Sequence, residues 1–225
     1  MLYLRISLLI TFQAKEIPAM KTHIKICGIT RPEDAIAAAQ LGANALGLVF
    51  YPSSPRAVSI QQAIAISNVT PPFVQLVGLF VNASYKEMVK ILAQVPLNLL
   101  QFHGEELSEF CEQFQRPYIK ALHIKENSDL NEQIAFYQSA RGILLDTFNP
   151  NLKGGTGETF DWKLIPQHLE KSLILAGGLN AENVKQALLQ VKPSAVDVSG
   201  GVEESKGIKS FSKMRDFIQA VQSIK

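Results

Sequence analysis

Eight times from His23 onward, a short apolar run of strand character is followed by an amphipathic run of helical period. Few folds accommodate that alternation. Parallel strands need a long crossover between them, and a helix is the usual one. The predicted strands cover residues 23–27, 45–50, 73–81, 98–103, 118–123, 142–146, 173–176 and 195–199. The predicted helices cover 33–41, 60–68, 85–94, 105–115, 130–140, 162–168, 181–190 and 211–224. In the first turn, Thr30 is the expected helix cap, with Pro32 and the acids Glu33 and Asp34 just inside the helix.

Eight strand–helix units in 225 residues predict the α/β class and a closed parallel (β/α)8 barrel, a TIM barrel with short loops. The rival is an open doubly wound sheet. Its dinucleotide-binding form needs G-x-G-x-x-G after the first strand, where this chain offers only Gly28. Residues 21–225 are read as one barrel domain. Residues 1–20, apolar at first but too short to span a bilayer, are expected to be a dispensable extension ending at Met20.

Hydrophobic residues make up 47% of the chain and charged residues 19%, which suits a well-buried core. With a formal net charge of +2 and no Lys/Arg run interleaved with aromatics, neither a nucleic acid nor a membrane is an expected partner. Two cysteines, Cys27 and Cys111, are too few for a disulfide framework and point to a reducing compartment, the cytoplasm. No face shows an excessive apolar patch, so monomer and homodimer both stay open.

A barrel places function in the loops at the carboxyl ends of its strands. There this chain puts Cys27, Arg56, Asn82, His103 and Asp146, then glycine clusters at 154–157, 177–178 and 200–201. Side chains two apart on a strand share a face, so Lys25 and Cys27 face the barrel interior, as do Asp197 and Ser199. Closure makes the first and last strands neighbours. A buried lysine and a buried aspartate are costly apart and tolerable together, so a Lys25–Asp197 ion pair is predicted beneath Cys27.

Free cysteine is commonly a small buried apolar residue, and Cys111, mid-helix, is read that way. Cys27 differs. The helix start after it and Lys25 below it are both expected to favour the thiolate. Asp146 could simply cap a turn, but across the mouth from Cys27 it makes an acid–base pair able to work on two sides of a substrate. The glycine clusters, with Gly155, Gly157, Gly177, Gly178 and Gly200 beside Ser199, suit a phosphate cradle. Arg56, expected on the far side from that cradle, could hold a carboxylate. His103 stands near with no fixed role. The histidines are too scattered for a metal motif, so no metal and no cofactor are expected.

These residues in this order resemble the phosphoribosylanthranilate isomerase family. The likeness rests on Lys25-Ile26-Cys27-Gly28-Ile29-Thr30, Gly47-Leu48-Val49-Phe50-Tyr51-Pro52 with Ser54-Pro55-Arg56, and Gly78-Leu79-Phe80-Val81-Asn82. Further on it rests on Gln101-Phe102-His103-Gly104-Glu105, Leu144-Leu145-Asp146-Thr147 and Gly154-Gly155-Thr156-Gly157 with Phe160-Asp161-Trp162. The last two stretches are Ala176-Gly177-Gly178-Leu179-Asn180 and Val196-Asp197-Val198-Ser199-Gly200-Gly201-Val202-Glu203. The resemblance implies a (β/α)8 barrel catalysing an Amadori rearrangement of a phosphorylated small molecule. It implies Cys27 as general base, Asp146 as general acid, and Arg56 on the anthranilate carboxylate. It also implies the glycine loops on the phosphate. Other readings are a different sugar-phosphate barrel enzyme, with Lys120 as the residue to check for an indole-forming synthase, and a non-catalytic phosphate-binding protein.

Overall fold

The computed structural model describes residues 21–124, 130–147, 162–166 and 169–224. The predicted extension, the 154–157 glycine cluster, and positions 167–168 of the sixth predicted helix lie outside the described residues.

Eight parallel strands close into a barrel in sequence order: β1 (His23–Cys27), β2 (Ala45–Val49), β3 (Gln75–Phe80), β4 (Leu99–Phe102), β5 (Tyr118–Ile124), β6 (Gly142–Thr147), β7 (Ser172–Leu175) and β8 (Ala195–Val198). Around it lie α1 (Pro32–Leu41), α2 (Ile60–Val69), α3 (Tyr85–Leu92), α4 (Ser108–Glu112), α5 (Leu130–Ala135), α6 (Val184–Val191) and α7 (Phe211–Gln222). The open-sheet rival is excluded by closure, since β1 pairs with β8 in the register Lys25↔Asp197. A short antiparallel hairpin between β8 and α7, with strands β9 (Glu203–Ser205) and β10 (Ile208–Lys209), was not expected. Its strands are too short to show a period of two, and only the turn glycine Gly207, at φ 83°, marks it.

The alternation expected of the strands divides the core as predicted. Ile24, Ile26, Leu46, Leu48, Val196 and Val198 join the large cluster under the helices. Ile119, Ala121, Leu144 and Ala176 pack together apart from that layer, as do Cys27, Val49 and Leu79. Each such fully buried aliphatic side chain stabilises the fold by about 1.5–3 kcal/mol. Ser59 and Ser84 start α2 and α3 with full capping boxes.

Several boundaries differ from expectation, each for a local reason. β3 begins at Gln75 rather than at 73 because Pro71 opens a turn, with the Val74 amide donating to its carbonyl at 3.0 Å. α4 starts late because the Glu106 carboxylate is held in the loop, accepting from the Asn82 and Gly104 amides. α5 tightens after Ala135 into i,i+3 turns at Phe136, Tyr137 and Ala140. The sixth predicted helix is a 3-10 turn over Trp162–Leu164. α6 starts at Val184 because the Asn180 side chain accepts from the amides of Glu182 and Asn183. Thr30 is not the cap of α1. Arg31 takes that position with no side-chain bond, while the Thr30 hydroxyl donates to the Gly207 carbonyl at 2.5 Å. The β9–β10 hairpin has claimed the hydroxyl.

Candidate active site

A cavity of about 630 Å³ opens at the carboxyl ends of the strands. Cys27, Arg56, His103, Asp146, Gly177, Gly178, Ser199 and Gly200 all line it. Asn82, also expected at this mouth, does not line the cavity; its side chain accepts from the Glu105 amide instead. Gly155 and Gly157 lie outside the described residues.

Cys27 closes β1 and is buried. Its register partner on β2 is Gly47, where a Cβ would come within 2.8 Å of the thiol sulfur and 3.1 Å of Lys25 Nζ. A glycine there gives the thiol its room. One pleat below, Lys25 Nζ donates to Asp197 Oδ2 at 2.9 Å, the ion pair expected from strand alternation. Burial alone would lower the Lys25 pKa. The charge of Asp197 and the hydrogen bond to it work against that, and the Lys25 pKa is raised, so Lys25 stays a firm cation.

Lys25 favours the Cys27 thiolate, as expected, but is outweighed. Burial pushes the Cys27 pKa up. Lys25 and Lys209 pull it down, but Asp197, needed to keep Lys25 buried, pushes it up again. Desolvation wins, and the resting group is a thiol. Cys111 is the structural cysteine expected, on the buried face of α4, with its pKa pushed up to about 12 by burial.

Asp146, next to last in β6, faces His103, the residue after β4, with His103 Nε2 3.3 Å from Asp146 Oδ2. The other ring nitrogen lies 2.8 Å from the amide nitrogen of Gln101, a fully buried residue. These two contacts hold the imidazole between Gln101 and Asp146. Sequence reasoning missed Gln101. Its position two residues before His103 on the same face is the signal that could have found it. The His123 ring packs edge-on against His103 at 5.7 Å and also lines the cavity.

The loops after β7 and β8 interlock. Gly177 and Gly178 have φ of 83° and 62°, the left-handed region that glycine adopts without strain. A Cβ at Gly201 would lie 2.0 Å from the Leu179 carbonyl oxygen. The two loops thus meet backbone to backbone, and the buried Ser199 hydroxyl has no hydrogen-bond partner there.

Arg56 is not on the far side from these loops. Barrel closure leaves only β1 between β2 and β8, and the Arg56 side chain crosses the end of β1 over Gly28. There it makes two 2.7 Å bonds to the Glu203 carboxylate, from Nε and Nη2. That fork raises the Arg56 pKa. Burial would raise the Glu203 pKa, but the bonds from Arg56 and Lys209 overcome it and hold the group ionised.

Lys120 has no place in the cavity. It is buried on the helix side of β5, where Nζ bonds Glu106 at 3.0 Å and lies over the Tyr137 ring. The reading that needed a catalytic lysine there loses its residue. Among the described residues, no group of three or more His, Cys, Asp or Glu could hold a metal ion. Among them, too, no helix is long and apolar enough to cross a membrane.

Comparison with known proteins agrees with this geometry. Residues 24–220 match the family model for N-(5'-phosphoribosyl)anthranilate (PRA) isomerase. The chain is 60% identical to the N-(5'-phosphoribosyl)anthranilate isomerase of Pseudomonas putida over 198 residues, 88% of this chain and 96% of that one. The crystal structure of phosphoribosyl anthranilate isomerase from Thermotoga maritima is 42% identical, with a TM-score of 0.84 over 90% of this chain and all of that one. A structure of such an isomerase in complex with reduced 1-(o-carboxyphenylamino)-1-deoxyribulose 5-phosphate is 38% identical. Its TM-score is 0.77 over 90% of this chain and all of that one.

Proposed function

The chain belongs to the N-(5'-phosphoribosyl)anthranilate isomerase family, and within it we propose that Cys27 is the general base and Asp146 the general acid. Its activity is the isomerisation of N-(5'-phosphoribosyl)anthranilate in tryptophan biosynthesis. The assignment of roles rests chiefly on one observation. A thiol and a carboxyl on β1 and β6 line one cavity, together with Arg56 and the glycine loops after β7 and β8.

The reaction follows from these groups. Asp146 protonates the furanose ring oxygen, and the ring opens to a protonated Schiff base. Cys27 as thiolate removes the proton from C2 of the sugar, giving an enolamine. Protonation at C1 by the Cys27 thiol and return of the enol proton to the Asp146 carboxylate then give the ketone, 1-(2-carboxyphenylamino)-1-deoxyribulose 5-phosphate. Both groups end as they began.

The raised Cys27 pKa gives the order of these steps a reason. The resting site lacks enough positive charge to ionise the thiol. The thiolate fraction, its proton released to solvent, carries the reaction, and the iminium cation formed beside it by ring opening stabilises that charge and acidifies C2. His103, with Nε2 3.3 Å from Asp146 Oδ2, orients the carboxyl. The loops after β7 and β8, with Gly177, Gly178, Ser199 and Gly200, hold the phosphate together with Gly155 and Gly157. Arg56 holds the anthranilate carboxylate. Two anchored ends align the reacting centre between base and acid, which is positioning catalysis.

Following the loss of fluorescence of freshly made N-(5-phosphoribosyl)anthranilate tests this reading. The account expects many turnovers per protein molecule. Tight binding of the reduced product analogue with no turnover would instead make the chain a phosphate-ligand binding protein.

A further inference from the structure

The Glu203 carboxylate is saturated. One oxygen accepts from Arg56 Nε at 2.7 Å, Lys209 Nζ at 2.9 Å and the Gly207 amide at 3.3 Å. The other accepts from Arg56 Nη2 at 2.7 Å. Its own position is fixed from several sides. Lys213 Nζ donates to the Glu203 carbonyl at 2.8 Å, and the Lys209 amide donates to Asp34 Oδ2 at 3.1 Å. Thr30 ties down Gly207. A hairpin held by the start of α1 and by α7 thus presents one carboxylate in one place.

Arg56 reaches that carboxylate because Gly28 has no side chain. A Cβ at Gly28 would stand 2.5 Å from Arg56 Cδ. The Nε–Nη2 edge of the guanidinium is then fully used. Nη1 has no hydrogen-bond partner among the described residues, and Arg56 lines the cavity. A long side chain with several rotatable bonds has become a rigid donor with one edge left to offer.

We infer that Glu203 is a positioning residue for substrate recognition: it clamps the inner edge of Arg56 so that the remaining edge meets the substrate's aryl carboxylate in a single orientation. This rests on the reading of Arg56 given above. The clamp makes the site selective for an ortho-carboxylated aryl amine. Such a group meets a pre-oriented donor, and an amine without the carboxylate gains nothing from it.

The test compares two stable ligands by calorimetry: the reduced product analogue and its counterpart lacking the aryl carboxylate. Glu203→Asp is the informative variant, because it keeps the charge and withdraws the carboxylate by one methylene. The preference for the carboxylated ligand should fall about tenfold, the scale of one charge-assisted bond. Affinity for the counterpart should stay within about twofold. A merely structural or charge-balancing Glu203 would weaken both ligands alike or neither, and either result overturns the inference.

Arg56→Ala separates the two claims. If it leaves the preference intact, the reading of Arg56 fails. If it abolishes the preference while Glu203→Asp does not, only the clamp fails. A second measurement needs no Glu203 variant. The Arg56 Nε–H proton, assigned by its absence in Arg56→Lys, should exchange slowly in nuclear magnetic resonance spectra with and without ligand. Rapid exchange in the free enzyme contradicts a clamp formed before binding.

Discussion

Lys25 and Asp197 stand 172 residues apart in sequence, yet they are register partners across the barrel seam, with Nζ and Oδ2 2.9 Å apart beneath Cys27. Both are buried, and a buried ion pair seldom stabilises a fold beyond what apolar residues of equal size achieve. Breaking it is another matter, because the survivor is an unpaired charge. Lys25→Met should cost about 3–5 kcal/mol of stability, measured by urea unfolding. Replacing both residues, Lys25→Met with Asp197→Leu, should recover most of that stability and none of the activity. Recovery of activity as well would mean that the pair serves the fold alone.

The pH dependence has a definite sign. A thiol cannot accept the C2 proton and a thiolate can, so activity needs the deprotonated form. Burial holds the Cys27 pKa above its ordinary value, so kcat/KM should rise with pH through an apparent pKa above about 8.5. Lys25 is the largest influence favouring the thiolate. Lys25→Met should therefore move this limb further alkaline, and Asp197's remaining charge pushes the same way. A limb that shifts to lower pH in Lys25→Met would contradict the electrostatic account.

Gly28 carries two demands at once, a φ of 74° and the passage of the Arg56 side chain. Gly28→Ala should cost about 1 kcal/mol or more through the left-handed backbone alone, again read by urea unfolding. It should also displace Arg56 and weaken binding of the reduced product analogue. Its counterpart without the carboxylate should be far less affected. Equal weakening of the two would mean that the loop as a whole, not Arg56, had moved.

Much of this was legible in the chain. The alternation of strands and helices implied a parallel sheet, and eight units favoured a closed barrel over an open sheet. Closure and the two-residue period of a strand then brought Lys25 and Asp197 together. What stayed hidden depends on loops. The Arg56–Glu203 fork joins residues 147 apart through a two-residue turn that no periodicity announces. It also explains why Arg56 lies near the loop after β8 and not far from it. The Cys27 pKa was misjudged for a related reason: Lys25 and the helix start can be read in sequence, but the degree of burial cannot.

The most direct test of the central claim is the steady-state rate of substrate fluorescence loss in the wild type, Cys27→Ser and Asp146→Asn. Each substitution should lower kcat by about 100- to 10,000-fold while the reduced product analogue still binds within a few-fold of wild type. Wild-type kcat in either variant would contradict the assignment of base and acid.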